Sequence, residues 1–213
     1  MTFDKNIAEQ VAKYLLEKKA VLLRPEEPFT WASGWKSPIY CDNRLLLSYP
    51  DVRTYIKDAM SRIVDEVCKP VDTIVGVATA GISHAALIAD KLNLPMAYGR
   101  TKEKDHGRQN VIEGKVEENT RVVVVEDLIS TAGSSLNIVH TLRDIPTEVV
   151  ALVAIFSYGF PVADERMNEL ELAHYTLSDY NTLVDEALKM NFISEKDVNL
   201  LKEWRKNPSE WGI

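Results

Sequence analysis

A run of four valines, Val122–Val125, is the feature that most constrains how this chain can fold. The run shows no alternation of apolar and polar residues, which predicts a strand buried on both faces. Such a strand needs cover on each side, so it favours an α/β fold with helices on both faces of a sheet. Because EDLISTAGSS (126–135) and a segment with helical spacing follow, we predict a strand, a short loop and the start of a helix.

Alternating strand and helix patterns around this run predict a mostly parallel, five-stranded sheet. The other strands are predicted over 73–79, 96–100, 148–157 and 172–178, and helices over 4–19, 50–68, 81–93, 181–190 and 195–206. The α/β core should span 73–180, with residues 1–68 as an N-terminal addition and 181–213 as C-terminal helices. We expect one domain over 1–213, because no repeat or linker interrupts the chain.

The overall charge and composition argue against several classes of function. A net charge of −7 disfavours a general nucleic-acid or anionic-membrane surface. The longest apolar run, 149–156, is far shorter than the roughly 20 residues of a membrane helix. Cys41 and Cys68 lie apart and suit a reducing compartment. We therefore expect a soluble cytoplasmic protein with neither nucleic acid nor membrane as a partner.

The loop after the valine strand combines features that suit two different chemical groups. Its small residues leave backbone N–H groups accessible at a helix N-terminus, which favours an anion such as phosphate. Glu126 and Asp127 would repel phosphate, but carboxylates can accept hydrogen bonds from vicinal hydroxyls. A phosphorylated sugar satisfies both, whereas the alternative is a solvated acid pair at a strand end. The chain lacks GxxxxGK[ST] and GxGxxG, which disfavours a P-loop protein or a dinucleotide-dependent oxidoreductase.

A second polar segment, GRTKEKDHGRQN (99–110), carries cationic or titratable side chains at alternate positions: Arg100, Lys102, Lys104, His106 and Arg108. Such a segment is either solvated surface or a lid for a highly charged ligand. Its position, one predicted strand away from the acid pair, favours the lid, because an acidic chain needs local cations to bind a polyanion.

The strand followed by EDLISTAGS resembles the signature of the type I phosphoribosyltransferases, which bind 5-phosphoribosyl 1-diphosphate. Two further segments resemble the orotate-specific members of that family, in particular the Gram-positive bacterial type. FTWASGWKSPIYCDNR (29–44) is similar to their N-terminal hood over the base, and RTKEKDHG (100–107) to their mobile catalytic loop. The resemblance implies the type I phosphoribosyltransferase fold with a small N-terminal hood.

The resemblance also implies roles for individual residues. Arg100, Lys104 and His106 are expected to contact diphosphate, and Lys104, Glu126 and Asp127 to be catalytic. The ribose 5-phosphate is expected to bind along Glu126, Asp127, Leu128, Ile129, Ser130, Thr131, Ala132, Gly133 and Ser134. Ser130, Tyr40 and Lys36 are candidates for orotate contacts. Magnesium is expected as a cofactor held mainly through the substrate, with no protein metal site.

The sequence departs from the enterobacterial relatives at four positions. Ala32, Ala80 and Thr101 stand where those relatives carry lysines, and FSYGF (156–160) lacks their arginine near the base. The resemblance therefore implies fewer diphosphate contacts and a missing contact near the base, for which Lys36 and Lys102 are candidate replacements.

The resemblance implies transfer of the phosphoribosyl group to orotate, giving orotidine 5′-phosphate and diphosphate. It also implies a homodimer, with the 100–110 loop reaching the neighbouring subunit's site. Two alternatives stay open. Another nucleobase phosphoribosyltransferase would share the signature but neither the hood nor the loop, and a noncatalytic RNA-binding regulator on the same fold would need a basic face.

Overall fold

The computed structural model describes residues 2–31, 33–100 and 111–211. Its N-terminal part begins with helix α1 (Lys5–Glu17), which Asp4 caps by accepting hydrogen bonds from the backbone amides of the first turn. Four short strands follow in two antiparallel pairs, β1 with β4 and β2 with β3. These strands are β1 (Val21–Leu23), β2 (Phe29–Thr30), β3 (Lys36–Ser37) and β4 (Ile39–Cys41). A 3₁₀ turn (Asn43–Ser48) then leads into helix α2 (Pro50–Ile63), so both predicted N-terminal helices are confirmed.

The rest of the chain alternates strands with helices. The strands are β5 (Thr73–Val77), β6 (Met96–Gly99), β7 (Ile112–Glu113), β8 (Arg121–Ile129), β9 (Glu148–Ser157) and β10 (Ala173–Asp179). The helices are α3 (Ala80–Leu92), α4 (Gly133–Arg143), α5 (Pro161–Glu169), α6 (Tyr180–Lys189) and α7 (Glu195–Lys206). Helix α5 was not predicted, although proline at its first position is a typical helix start. Ser194 and Asp197 form a complete capping box at the start of α7.

The central sheet has the strand order β10-β9-β8-β5-β6-β7 and is parallel except for β7. The predicted mostly parallel sheet flanked by helices is confirmed. The predicted count of five strands is one too few, because β7 is an antiparallel edge strand of two residues and is too short to give a period. Of the part of the chain that the structure describes, no helix combines the length and apolar character that crossing a bilayer requires.

The valines of β8 divide between two hydrophobic cores. Val123 and Val125 belong to the core that also contains buried residues of α1, α2, α3, α6 and α7. Val122 and Val124 belong to the core that contains residues of α4 and α5. All four side chains are fully buried, so the predicted burial on both faces is confirmed.

The strand β8 is longer than the sequence pattern predicts. We expected it to end before Glu126, but it continues to Ile129 because Leu128 and Ile129 pair with Phe156 and Ser157 of β9. The two acids therefore lie within a paired strand and not in the following loop. Since the backbone on both sides of them is hydrogen-bonded, their carboxylates start from a rigid support.

Helix α3 approaches β8 closely at Gly81. A Cβ atom on Gly81 would lie 2.5 Å from the Val125 carbonyl oxygen. Contacts of this kind do not occur between real atoms, so any larger residue would push α3 away from the strand. At Gly133, by contrast, the nearest atom to such a Cβ is Thr131 Oγ1 at 3.9 Å.

We therefore predict that Gly81→Ala lowers the free energy of unfolding by about 1–3 kcal/mol, the usual cost of overpacking. Gly133→Ala is the matched control, and it should change stability by less than about 1 kcal/mol because the space is open. Urea denaturation of both variants measures the difference. Equal stability of the two would contradict the close approach of α3 to β8.

Candidate active site

A cavity of about 390 Å³ lies beyond the carboxyl ends of β5 and β8. Two segments line it: the turn between β5 and α3, with Ala78, Thr79 and Ala80, and the β8–α4 region, with Glu126, Asp127, Leu128, Ser130, Thr131, Ala132, Gly133, Ser134 and Ser135. Ligands of open α/β sheets bind at this edge. The order of the predicted strands places three loops at this edge: TAGIS (79–83), 101–119 and EDLISTAGSS (126–135). The structure brings the first and third together. Residues 101–110 of the second lie outside the described residues, and 111–119 do not line this cavity.

The turn at 130–134 gives this first cavity an anion-binding side. Ala132 precedes α4 with a φ of +62°, in the left-handed region that non-glycine residues rarely adopt. Helix α4 then begins at Gly133, and no described side chain caps its first amides. Uncapped amides and the positive end of the helix dipole can together hold a phosphate group.

The acid pair forms another part of the lining of the first cavity. Glu126 is only 7% exposed, and it accepts hydrogen bonds from Ser135 Oγ (3.1 Å) and from the Asp127 backbone amide (3.0 Å). Burial raises the pKa of the Glu126 carboxyl, and the neighbouring Asp127 charge raises it further. Burial also raises the pKa of Asp127. Hydroxyl groups of a ligand in the first cavity could donate hydrogen bonds to these buried carboxylates.

A buried asparagine that the sequence did not reveal supports the acid strand. Asn43 Nδ2 donates to the Asp127 backbone carbonyl at 2.7 Å, and Cys41 Sγ lies 3.3 Å from Asn43 Oδ1. Asn43 is fully buried. It joins the N-terminal part of the chain to β8 at the acid pair. One polar residue in a short turn produces no periodic signal, so sequence analysis had no means of finding this link.

A second cavity of about 280 Å³ adjoins the first, because Leu128 and Ser130 line both. Its other lining residues are Thr30, Trp31, Tyr40, Cys41 and Tyr158. Three of these are aromatic, and Ser130 contributes a hydroxyl. Aromatic walls with a few polar groups suit a flat ring of mixed polarity. Ser130 and Tyr40, two of the predicted orotate contacts, both line this cavity. Trp31, Cys41 and Tyr158 also line it and were not predicted to do so.

A cation stands beside this second cavity. Lys36 Nζ donates to Thr30 Oγ1 at 2.8 Å, and Thr30 lines the cavity. The described lining residues include neither lysine nor arginine. Lys36 is exposed at the rim of the cavity, where its ammonium group could pair with an anionic substituent on a bound ring.

The remaining predicted site residues have different placements. Ile129 is buried in the core with 1% exposure and does not line the first cavity. Arg100 follows β6, with its Nε 3.4 Å from Glu113 Oε1. Lys104 and His106 lie outside the described residues, as do Ala32 and Thr101. Ser135 and Thr79 line the first cavity and were not assigned to it from the sequence.

Comparisons with known proteins agree with this geometry. The Phosphoribosyl transferase domain family matches residues 46–190. Orotate phosphoribosyltransferase of Porphyromonas gingivalis is 48% identical, with 98% of this chain and 100% of that protein covered. Orotate phosphoribosyltransferase of Staphylococcus haemolyticus is 52% identical, with 94% and 100% covered. The crystal structure of orotate phosphoribosyltransferase from Aeropyrum pernix superposes with a TM-score of 0.75 at 27% identity, covering 86% of this chain and 99% of that one.

The buried Glu126 makes stability depend on pH in a predictable direction. Its folded pKa is raised above an unfolded value of about 4.3, so the folded chain holds the proton more tightly. The free energy of unfolding should therefore fall as the pH rises from about 4 through the raised pKa. Glu126→Gln removes this loss. The free energy of unfolding of the variant should exceed that of the wild type by about 1 kcal/mol or more at pH 8, and the two should not differ near pH 4.

Urea denaturation at several pH values measures this effect. Glu203→Gln, on an exposed position of α7, is the control and should give no gain at pH 8. Parallel pH profiles of Glu126→Gln and the wild type would contradict a buried, ionisable carboxyl at this position.

Proposed function

This chain belongs to the orotate phosphoribosyltransferases of the phosphoribosyl transferase family, and on that premise we propose how its two cavities perform the reaction. The enzyme transfers the 5-phosphoribosyl group from 5-phosphoribosyl 1-diphosphate to orotate, which yields orotidine 5′-phosphate and diphosphate in pyrimidine biosynthesis. The single observation that carries the assignment of roles is the meeting of the acid pair with an uncapped helix start in one cavity.

The first cavity holds the ribosyl donor. The 5-phosphate binds the backbone amides of the 130–134 turn, and the hydroxyls of Ser130, Thr131 and Ser134 complete its coordination. Asp127 and Glu126 accept hydrogen bonds from the two ring hydroxyls of ribose. Displacement at the anomeric carbon passes through a state with oxocarbenium character, as in glycoside chemistry. The carboxylates offset the positive charge that develops on the sugar, and they need little reorganisation because β8 already fixes them.

The second cavity holds orotate, directly beside the anomeric carbon. Tyr40 and Tyr158 border the plane of the base, and Ser130 contributes a hydrogen bond where the two cavities meet. Orotate carries a carboxylate, for which Lys36 supplies the charge at the rim. This lysine takes the place of the arginine that is missing from FSYGF (156–160).

Diphosphate leaves toward the cations of the 99–110 segment. Arg100, Lys104 and His106 contact the leaving group, and Lys104 acts on the charge that develops as the bond to the anomeric carbon breaks. A loop that covers the site also excludes water, which would otherwise hydrolyse the activated sugar. In the homodimer that we propose, this loop reaches the site of the neighbouring subunit, so mixed dimers that carry one inactive loop should keep one working site.

Magnesium is the cofactor that fits these residues. The ion would be held mainly through the substrate, with the hard oxygen atoms of Glu126 and Asp127 in the same cavity, and the described residues contain no group of three or more side chains that could hold a metal ion alone. Magnesium in enzymes is commonly bound by one or two carboxylates together with substrate phosphates. When bound, it neutralises charge on the diphosphate. We also propose a cytoplasmic location, since Cys41 and Cys68 are both free thiols.

The assignment is tested by the fall in ultraviolet absorbance of orotate when the purified chain is mixed with the ribosyl donor and magnesium. We expect the chain to convert orotate in this assay, and to convert neither uracil, adenine nor guanine when one of them replaces orotate. Turnover of another base in preference to orotate would make the chain a different nucleobase phosphoribosyltransferase. RNA binding without turnover of any base would favour the regulator.

Lys104→Ala tests the proposed role of the 99–110 segment. It should lower kcat by roughly 10²-fold or more, the usual cost of losing one donor that stabilises transition-state charge. The melting temperature should stay unchanged. Wild-type turnover in this variant would remove Lys104 from the mechanism, whatever the base specificity.

Lys36→Met tests the recognition of the orotate carboxylate. Loss of one charged hydrogen bond costs about 1.5–3 kcal/mol, so the KM for orotate should rise roughly 10- to 100-fold. The KM for the ribosyl donor should change by less than about 2-fold, because Lys36 is a neighbour of the second cavity. Lys5→Met, at an exposed position of α1, is the control. An equal rise in both constants would contradict a specific contact with the base.

A further inference from the structure

The C-terminal helix α7 contacts both sides of the second cavity, although it lies outside the 46–190 region that the family match covers. We propose that Trp204 and Arg205 of α7 are positioning residues that hold the two walls of the base cavity at a fixed spacing and so set the affinity for the base. The inference rests on the proposed function of that cavity as the orotate site.

Trp204 connects α7 to the N-terminal wall. Its side chain is completely buried, and its Nε1 donates to the Lys36 backbone carbonyl at 3.1 Å. Its ring meets the Trp31 ring edge-on, with centroids 5.7 Å apart, and the Tyr158 ring at 5.9 Å. Trp31 and Tyr158 both line the cavity. One side chain therefore supports an aromatic residue from each wall and the backbone of the lysine at the rim.

Arg205 connects the same helix to the other wall. Its Nε donates to the Tyr158 carbonyl at 3.2 Å, and its Nη2 donates to the Gly159 carbonyl at 2.9 Å. Its Nη1 donates to Asn181 Oδ1 at 3.0 Å, which ties the guanidinium to α6. Gly159 has a φ of +63°, and a Cβ there would lie 2.8 Å from Arg205 Nη2. The backbone after β9 thus turns close against the guanidinium fork.

The two walls belong to separate sheets and touch through the Trp31 and Tyr158 rings, whose centroids lie 5.3 Å apart. Helix α7 adds hydrogen bonds to the backbone of each wall. Trp31 and Lys36 lie in or beside the β2–β3 pair, whereas Tyr158 follows β9 of the central sheet. Two consecutive residues of one rigid helix bind a backbone carbonyl on each side, which fixes the distance between them. The first cavity shares none of these contacts, since neither its lining turn nor its acids touch α7 in the hydrogen bonds of the described residues. Loss of the connection should therefore loosen the base site and leave the donor site intact.

Steady-state kinetics of three variants tests this inference. Trp204→Phe keeps an aromatic ring but removes the N–H group that donates to the Lys36 carbonyl. Arg205→Gln removes the guanidinium group from a half-buried position. Tyr180→Phe is the matched control, because it removes a buried hydrogen bond from α6 to the Leu201 carbonyl of α7 but keeps the ring that packs against Trp204 and Arg205. We expect Trp204→Phe and Arg205→Gln each to raise the KM for orotate about 5- to 20-fold, with the KM for the ribosyl donor within about 2-fold. Arg205→Lys, which retains one donor, should recover part of the loss.

A purely structural helix would give a different pattern. All three variants would then lower the melting temperature and change both KM values together, or change neither, and either result would overturn the positioning role. Unchanged kinetics for Arg205→Gln would overturn it as well, and this variant keeps the buried tryptophan that the fold requires. Failure of the wild-type chain to consume orotate would instead overturn the proposed function and this inference with it, so the two failures are distinguishable.

Discussion

The packing of the β8 valines between two helical layers is the interaction on which the rest of the structure depends. Each face of Val122–Val125 fills a different core, so the strand cannot shift by one residue without exposing or burying the wrong side chains. The register of β8 with β9 then continues through Glu126 to Ile129. The position of both acids at the carboxyl edge of the sheet is therefore a consequence of hydrophobic burial several residues earlier. A carboxylate pair on a loop would need other contacts to hold its geometry.

The same burial explains how an acidic chain can bind a polyanionic donor. Raised pKa values at Glu126 and Asp127 show that ionised carboxylates in this cavity are costly when they are without a partner. In the proposed function, ribose hydroxyls provide that partner, so binding of the sugar would relieve a cost that exists in the free protein. The phosphate would bind the uncapped helix start after the turn at 130–134. The net charge of −7 is then no obstacle, because different groups in the cavity attract the hydroxyls and the phosphate.

The sequence predicted those parts of the molecule that depend on local patterns. The valine run and the helical spacings act within a few residues, and the structure confirms the elements they indicate. Strand β7 was missed because two residues have no period, and α5 because its hydrophobic face is weak around Pro161. The signature segment located the first cavity. The walls of the second cavity come from positions near 31, 40, 130 and 158, and only the folded chain brings these together. Asn43 is 84 residues from Asp127, so no local sequence pattern could predict its hydrogen bond to the Asp127 carbonyl.

These long-range contacts share a feature that bears on how the two substrates are held. Asn43 binds the backbone of Asp127, Trp204 the backbone of Lys36, and Arg205 the backbone of Tyr158 and Gly159. In each case a buried or half-buried side chain donates a hydrogen bond to the main-chain carbonyl of a residue in or beside a cavity wall. The side chain of the residue that accepts the hydrogen bond takes no part in it. The first cavity is lined only by residues of the β5–α3 and β8–α4 regions. The second cavity also takes Thr30, Trp31, Tyr40 and Cys41 from the N-terminal part of the chain, and α7 supports Trp31 and the Lys36 backbone. If the first cavity binds the sugar and the second the base, as we propose, the central sheet supplies the sugar site and the additions at the two ends of the chain supply the walls of the base site.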